Sequence, residues 1–220
     1  MRLPKAILFD LDGTLCDSLP DISWALNEAR VDMGLTPVAD GQVKVWVGGG
    51  AALLVARSLG LDDERDPAVA PLLATFLRHY EAHAADESKL YPGVPELLDF
   101  LEARGVLIAC TTNKPASAAR NLLAALDVLA RLDALVTPET CGGAKKPDPR
   151  FMATALTKLG VEAKDALVVG DAVQDVLAAK SAGIRCVAIL GGYGDPDALR
   201  AAGADEYVAT IAEFGARLRA

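Results

Sequence analysis

The chain has 220 residues, of which 52% are hydrophobic and 24% charged, and its formal net charge is -8. A chain of this length and composition can bury a core, which excludes a disordered tail or a mini-protein. The acidic balance opposes sequence-independent binding to nucleic acid or to an anionic membrane surface, so we expect neither partner. An anionic substrate must then be attracted by a local cation or metal ion.

The start of the chain, MRLPKAILFD, lacks the long apolar stretch of a secretory signal. Charges, Gly or Pro interrupt every later apolar stretch before the roughly 20 residues that a membrane helix needs. The four cysteines show no paired spacing of a zinc site or disulfide framework. We therefore expect a cytoplasmic protein with reduced thiols.

Short apolar, β-branched runs alternate with segments of helical periodicity along most of the chain. The runs are AILFD, VLIACTT, ALVT, ALVVGD, RCVAIL and EYVA. Such runs are typical of strands buried on both faces, and helical segments such as 115–126 and 172–182 lie between them. The alternation predicts an α/β fold with a parallel sheet and helices on both of its faces.

A long, mostly helical stretch separates the first predicted strand from the second. In its first helix Ile22, Leu26, Ala29 and Met33 recur at helical spacing and share one face, and Gly34 ends the helix. Further helical segments are predicted around 43–47, over 51–59 and over 68–85. We expect an inserted helical domain over 16–89 and an α/β core domain over 1–15 and 90–220.

Two aspartates follow the first predicted strand in AILFDLDGTLCDS. Asp10 ends the strand, where reactive groups of a parallel sheet collect, and Asp12 follows two residues later. One carboxylate can attack phosphorus while the other protonates the departing oxygen and later takes a proton from water. A lone aspartate here would more often be a cap or turn residue. Two carboxylates this close require a cation, and Mg²⁺ suits them.

Partner residues follow other predicted strands. Asp171 ends the strand of ALVVGDAVQD and is a predicted metal ligand, whereas Asp175, one helical turn later, either supports the metal or only favours the helix dipole. Thr112 and Asn113 follow the strand VLIACTT, and KKPDP supplies Lys146. A hydroxyl, backbone amides and an ammonium can hold a phosphoryl group.

The ordered set DLDGT, TTNKP, KKPDP and VGDAVQD resembles the four motifs of the haloacid-dehalogenase superfamily of phosphohydrolases, over nearly the whole chain. The resemblance implies a Rossmann-like core with an α-helical cap and a Mg²⁺ cofactor. It also implies a nucleophile, an acid/base, two phosphoryl-binding residues and a metal ligand, in this order: Asp10, Asp12, Thr112, Lys146 and Asp171. The backbone carbonyl of Asp12 would be a further metal ligand, and Asp175 would support the metal or its waters.

The helical stretch after the first motif resembles the small cap of phosphoglycolate phosphatases, as do the strings DSLPDI, VWVGGGAALL and YPGV. We therefore expect hydrolysis through an aspartyl-phosphate, with 2-phosphoglycolate as the leading substrate. VGDAVQD and VGGG depart from the usual GDSxxD and VGNG strings of that subgroup. A sugar phosphate, pyrophosphate or a nucleotide therefore remains an alternative small phosphorylated substrate.

Two other functions remain open at the level of sequence. Phosphoglucomutases of the same superfamily use the same paired aspartates but return the phosphoryl group to the sugar. Receiver domains that are phosphorylated as a signal share acidic strand ends and Mg²⁺, but they lack a long helical insertion after the first strand. We expect a monomer or a homodimer.

The helical stretch also offers candidate contacts for the substrate. Lys44 could pair with a substrate carboxylate, although a lone lysine on a helix is more often solvated. Gly48, Gly49 and Gly50 could let backbone approach a small ligand, although a flexible turn is the simpler interpretation. His79 and His83 lie four residues apart on a predicted helix without a third ligand, so we expect no zinc site there.

Overall fold

A computed structural model describes residues 3–83 and 85–220; residue 84, near the predicted end of the fourth helix, lies outside them. The strands are β1 Ala6–Phe9, β2 Cys16–Asp17, β3 Lys89–Leu90, β4 Leu107–Thr111, β5 Ala134–Val136, β6 Ala166–Gly170, β7 Arg185–Ile189 and β8 Glu206–Val208. The helices are α1 Leu19–Asp32, α2 Asp40–Trp46, α3 Ala51–Ser58, α4 Val69–Ala82, α5 Val94–Ala103, α6 Ala116–Ala125, α7 Pro149–Leu159, α8 Val173–Ser181, α9 Pro196–Ala202 and α10 Ile211–Arg219. No helix in the described residues is long and apolar enough to cross a membrane.

Six strands form a parallel sheet in the order β5-β4-β1-β6-β7-β8. Each of these six strands lies within one of the six predicted apolar runs, and the predicted α/β class is confirmed. β1 is central, since Ile7 lies between Ile108 of β4 and Leu167 of β6. All four residues of β1 are buried, as expected for a strand covered on both faces.

Helices cover both faces of the sheet because alternate strand residues point to opposite sides. Ile7 and Phe9 pack in one cluster with apolar residues of α5, α6 and α10. Ala6 and Leu8 pack in a second cluster with residues of α7, α8 and α9. The sheet is therefore closed on its faces, and its open edge is the one beyond the carboxyl ends of the strands.

The helices α1 to α4, here called the α1–α4 group, pack around a third apolar cluster that includes Ile22, Leu26 and Ala29 of α1. The prediction that Met33 shares this buried face is wrong: α1 ends at Asp32, and Met33 is 46% exposed. At the base of the group, β2 and β3 pair as a short antiparallel ribbon, which the sequence did not predict. Both chain connections between the group and the sheet therefore run side by side.

Candidate active site

Three adjacent strands deliver predicted site residues to one edge of the sheet. Asp10 follows β1, Thr112 follows its neighbour β4, and Asp171 follows β6 on the other side. Lys146 comes from the loop between β5 and α7 and is 4% exposed. Because carboxyl ends of parallel strands meet at one edge, residues far apart in the chain share one site.

Lys146 connects two of the aspartates. Its Nζ lies 2.8 Å from Asp10 Oδ1 and 2.6 Å from Asp175 Oδ1, and it donates to the Thr111 carbonyl oxygen at 2.6 Å. Burial lowers the pKa of Lys146, but Asp10 and Asp175 raise it by more, so the ammonium stays charged. The site therefore holds one fixed positive charge against the nucleophile candidate.

One carboxylate oxygen from each of Asp10, Asp171 and Asp175 lies within 4.8 Å of the others, and all three residues are buried. Burial and the charge of Asp175 raise the pKa of Asp10, although Lys146 opposes this, and the same two causes raise the pKa of Asp171 to about 6. Three buried acids are too many for one ammonium to neutralise. Their oxygen atoms fit a hard divalent cation such as Mg²⁺, which would offset the excess charge.

Asp171 and Asp175 are held by hydrogen bonds as well. Asp171 accepts from the Thr14 hydroxyl at 2.6 Å and from the Tyr193 backbone N–H at 2.7 Å. Asp175 accepts from the Ala172 backbone N–H at 3.0 Å, as a residue in the first turn of α8 is expected to do. Asp175 thus lies in the acidic cluster and also caps its helix, while its support of a metal ion stays a prediction.

Asp12 stands in different surroundings from Asp10. Its Oδ1 lies 2.7 Å from Nζ of Lys114 and accepts from the Ser18 hydroxyl. Burial lowers the pKa of Lys114, but Asp12 and Tyr80 together raise it by more, so this ammonium also stays charged. The two carboxylates of the first motif therefore have separate lysines. The sequence prediction missed Lys114, although it is the lysine of the TTNKP string.

Asn113 joins three parts of the site. Its Oδ1 accepts from the Lys146 backbone N–H at 2.7 Å, and its Nδ2 donates to the carbonyl oxygens of Lys146 and Gly48. Both polar atoms of the side chain are therefore engaged within the chain. Thr112 accepts from the Lys114 N–H at 3.1 Å and lines the cavity described next. Substrate contacts of Thr112 and Asn113 stay predictions.

A cavity lies between the sheet edge and the α1–α4 group. Asp10 and Asp12 line it on the sheet side, and the lining from the helical group is mostly apolar: Ile22, Val47, Ala51, Leu54 and Phe76. Tyr80 lies there too. A substrate that reaches Asp10 through this cavity would be covered by the helices.

Lys44, the lysine of the helical group that was predicted to contact the substrate, lies in a wider groove next to this cavity. Lys44 and Arg57 line it together with Gly48, Asp12 and Asp171. The Lys44 ammonium lies 5.8 Å from the Tyr193 ring centroid, which is within cation–π range. Lys44 therefore lies in a groove that could admit a substrate, and its contact with the substrate stays a prediction.

The three glycines between α2 and α3 differ in their surroundings. Gly50 has a φ of +92°, and a Cβ there would lie 3.1 Å from the backbone oxygen of Asn113. A Cβ at Gly49 would collide with Leu53 on the following helix, whereas Gly48 lines both the cavity and the groove. Close backbone approach to the sheet edge is therefore strongest at Gly50, the third of the glycines named from the sequence.

Few polar contacts connect the helical group to the rest of the site. Lys145 forms an ion pair with Glu64 at 2.5 Å, and Ser117 donates to Glu81. His79 pairs with Asp32, and His83 pairs with Asp86, both on the outer surface of the helical group.

Tyr193 lies in the GGYGDP string, which follows β7. Its N–H binds Asp171, while its hydroxyl donates to Asp17 and accepts from the N–H groups of Ser18 and Leu19. A Cβ at the neighbouring Gly192 or Gly194 would clash with Asp171. The glycine-rich composition was therefore the sequence signal for a loop packed on the acidic cluster.

Comparison with known proteins gives consistent relatives. A family model described as haloacid dehalogenase-like hydrolase matches residues 7–189. A phosphoglycolate phosphatase of Rhodospirillum rubrum is 43% identical over 197 residues, which is 87% of this chain and 81% of the relative. An N-acetylmuramic acid 6-phosphate phosphatase of Pseudomonas aeruginosa is 38% identical over 197 residues, with 90% and 86% covered. The crystal structure of a predicted phosphoglycolate phosphatase from Haemophilus somnus has a TM-score of 0.86 at 28% identity, with both chains fully covered.

Proposed function

This chain belongs to the haloacid dehalogenase-like hydrolase family and is a phosphatase, and we propose that it hydrolyses 2-phosphoglycolate to glycolate and inorganic phosphate with Mg²⁺. The observation that carries the proposal is the contrast between two carboxylates at one cavity. Asp10 faces the acidic cluster and Lys146, whereas Asp12 faces Lys114 and Ser18. Two carboxylates in different surroundings suit one nucleophile and one acid/base.

In the proposed reaction, an Asp10 carboxylate oxygen attacks the phosphorus atom, and the bond from phosphorus to the ester oxygen breaks. Asp12, carrying a proton at that stage, donates it to the leaving oxygen, which departs as the hydroxyl of glycolate. Asp12 then takes a proton from water, and the water oxygen attacks the phosphorus of the aspartyl-phosphate. The bond from phosphorus to the Asp10 oxygen breaks, which restores the Asp10 carboxylate and releases inorganic phosphate. Lys146 and Thr112 hold the phosphoryl oxygens.

The cation site of this proposal uses residues of the acidic cluster. Asp10, Asp171 and the backbone carbonyl of Asp12 would hold Mg²⁺, and Asp175 would lie in or beside its ligand shell. Bound Mg²⁺ would neutralise negative charge on the carboxylates and on the phosphoryl oxygens. The chemistry of the donor set supports this choice, because buried carboxylate oxygens prefer a hard cation.

We propose that residues 16–89 act as a cap that encloses the substrate against the sheet edge. With a substrate enclosed between the two parts, less water would surround Asp10, and the electrostatic interactions of the site would become stronger. Lys44, Gly48 and Gly49 are proposed contacts for the organic part of the substrate. Two of the relatives named above, from Rhodospirillum rubrum and Haemophilus somnus, support a small carboxylate-bearing substrate.

A second candidate substrate is N-acetylmuramic acid 6-phosphate. A relative of that name matches this chain over 90% of its length at 38% identity. The chemistry at Asp10 and Asp12 would be the same, and only the fit of the organic part would differ. Other sugar phosphates, pyrophosphate, nucleotides and a mutase reaction stay alternatives of lower rank.

We propose that the protein acts in the cytoplasm, for the reasons already given from the sequence. All four cysteines are free and buried, which suits a reducing compartment such as the cytoplasm. The net charge of -8 gives no support to binding of nucleic acid or of anionic membranes.

The test is a panel of phosphorylated metabolites with Mg²⁺, ranked by kcat/KM, with inorganic phosphate and remaining substrate measured together. We expect 2-phosphoglycolate to rank first and phosphate to appear in step with substrate loss. A higher kcat/KM for N-acetylmuramic acid 6-phosphate would replace the substrate. Substrate loss without phosphate release would indicate a mutase instead.

A further inference from the structure

Tyr80 carries a buried hydroxyl beside the reacting carboxylates. It lies on α4, is 2% exposed and lines the same cavity as Asp10, Asp12 and Lys114. Its hydroxyl has no hydrogen-bond partner of good geometry among the described residues; the Lys114 ammonium interacts with it but can only donate, so the O–H proton has no acceptor there. An unpaired buried hydroxyl costs free energy because its hydrogen bonds to water are lost. A hydroxyl in this state next to an active site points to a partner that arrives with the substrate.

The ring of Tyr80 is held firmly, so its hydroxyl has a defined place. It stacks on Phe76 with ring centroids 5.4 Å apart and an interplanar angle of 9°, and the Lys114 ammonium lies 4.7 Å from its centroid. Burial raises the pKa of Tyr80, although Lys114 opposes this, so the phenol stays protonated. The hydroxyl is therefore available as a donor.

The position of Tyr80 matches the side on which the organic group would leave. Lys114 and Ser18 both donate to Oδ1 of Asp12, which leaves Oδ2 for proton transfer to the departing oxygen. The organic part of the substrate must then lie near Asp12, at the end of the cavity that Lys114 and Tyr80 share. The described part of the α1–α4 group and its loops contributes several residues to the cavity lining, and Tyr80 is the one among them with a polar side chain.

We propose that Tyr80 is a specificity-determining residue whose hydroxyl donates a hydrogen bond to an oxygen atom on the organic part of the substrate. The site would favour small phosphomonoesters with an acceptor oxygen, such as a carboxylate, close to the ester bond. This inference rests on the proposed function, from which it takes the roles of Asp10 and Asp12. A site built to hydrogen-bond its substrate rejects an analogue without the acceptor, because the buried donor is then left unpaired.

The experiment removes the hydroxyl and, separately, the acceptor on the substrate. Tyr80→Phe keeps the ring, its stacking on Phe76 and its contact with Lys114. Values of kcat/KM are measured for 2-phosphoglycolate and for ethyl phosphate, which has a methyl group where the carboxylate stands. We expect the preference of the enzyme for 2-phosphoglycolate to fall by about tenfold to hundredfold in the variant, as for a lost hydrogen bond to a charged group.

The matched control is Tyr207→Phe on β8, where the hydroxyl donates to the backbone oxygen of Arg200 at 3.4 Å, away from the cavity. It should leave the ratio between the two substrates unchanged. An equal loss for both substrates in Tyr80→Phe, or an unchanged ratio, would overturn the proposal.

Unfolding of the ligand-free protein gives a second readout that does not depend on the substrate. Removal of an unpaired buried hydroxyl should leave the melting temperature of Tyr80→Phe equal to that of the parent or higher. A melting temperature several degrees lower would mean that the hydroxyl has a structural partner, which would contradict the proposal.

Failure of the proposed function is distinguishable from failure of this inference. If the parent enzyme hydrolyses another phosphate of the panel but not 2-phosphoglycolate, the substrate assignment is wrong. The same ratio is then measured with the preferred substrate and its analogue lacking the acceptor oxygen. If this ratio is the same in the parent enzyme and in Tyr80→Phe, the role of Tyr80 is overturned in that case too.

Discussion

The edge of the sheet and the α1–α4 group face the same cavity but are built differently. At the sheet edge, every charged group of the site has a charged or hydrogen-bonding partner within the core, as Lys146 has with Asp10 and Asp175. The helical group contributes a mostly apolar wall, and few polar contacts such as Glu64 with Lys145 cross to the core. Buried charges need fixed partners to hold their geometry, whereas an apolar wall can change its shape without leaving charges unpaired.

Two neighbouring lysines show the contrast within a single dipeptide. Lys146 points into the sheet edge with its side chain 2% exposed, whereas the side chain of Lys145 is 28% exposed and pairs with the helical group. We therefore expect the phosphatase chemistry to depend on the core and the substrate selectivity to depend on the helices. Three changes test this division, and the Tyr80→Phe experiment tests its selective half.

The largest effect is expected for Asp10→Asn, which keeps the shape of the side chain but removes the nucleophile. We expect kcat to fall by about 10⁴-fold or more with every substrate, as for loss of other catalytic nucleophiles. Burial and Asp175 make the charged form of Asp10 unfavourable. The Mg²⁺-free variant should therefore melt at the same temperature as the parent or higher.

Mass spectrometry of the purified variant controls for deamidation back to aspartate. Substantial activity in a sample free of deamidation would remove Asp10 from the chemistry. It would also remove the reason for assigning the reaction to the core.

The next effect compares Lys146→Met with Lys145→Met, measured by denaturant unfolding without Mg²⁺. Lys146→Met leaves the buried carboxylates of Asp10 and Asp175 without their cation and should cost about 3–5 kcal/mol. Lys145→Met breaks a partly exposed pair and should cost about 0–1 kcal/mol. Equal costs for the two variants would contradict the division between a charged core and a loosely attached wall.

The smallest effect is expected for Glu64→Gln, which weakens the ion pair between the helical group and Lys145. We expect KM to rise by up to about fivefold with little change in kcat, and the effect should shrink at high salt. The matched control is Asp63→Asn, since Asp63 is one residue away but pairs with Arg65 on the same exposed loop. A loss of kcat above tenfold in Glu64→Gln would place the helical group in the chemistry.

Much of the fold was predictable because buried parallel strands are short, apolar and bounded by turn residues. That pattern located β1, β4 and β6 and with them Asp10, Thr112 and Asp171 at one edge. Two residues were missed, and both act through long-range contacts: Lys114 holds Asp12, and Tyr193 holds Asp171. Their local signals, a lysine within TTNKP and glycines around a tyrosine, gain meaning only when the partner is known.

The residues that end strands and the apolar faces of the helices could be predicted, because both follow from periodicities of two and 3.6 residues that are local in the chain. Which lysine neutralises which aspartate, and that Tyr80 lines the cavity, became visible in the folded chain alone. The pair of Asp12 and Lys114 joins residues 102 positions apart. That pairing depends on β1 and β4 lying side by side in the sheet, whereas the place of Tyr80 depends on how the α1–α4 group packs on it, and no local pattern encodes either arrangement.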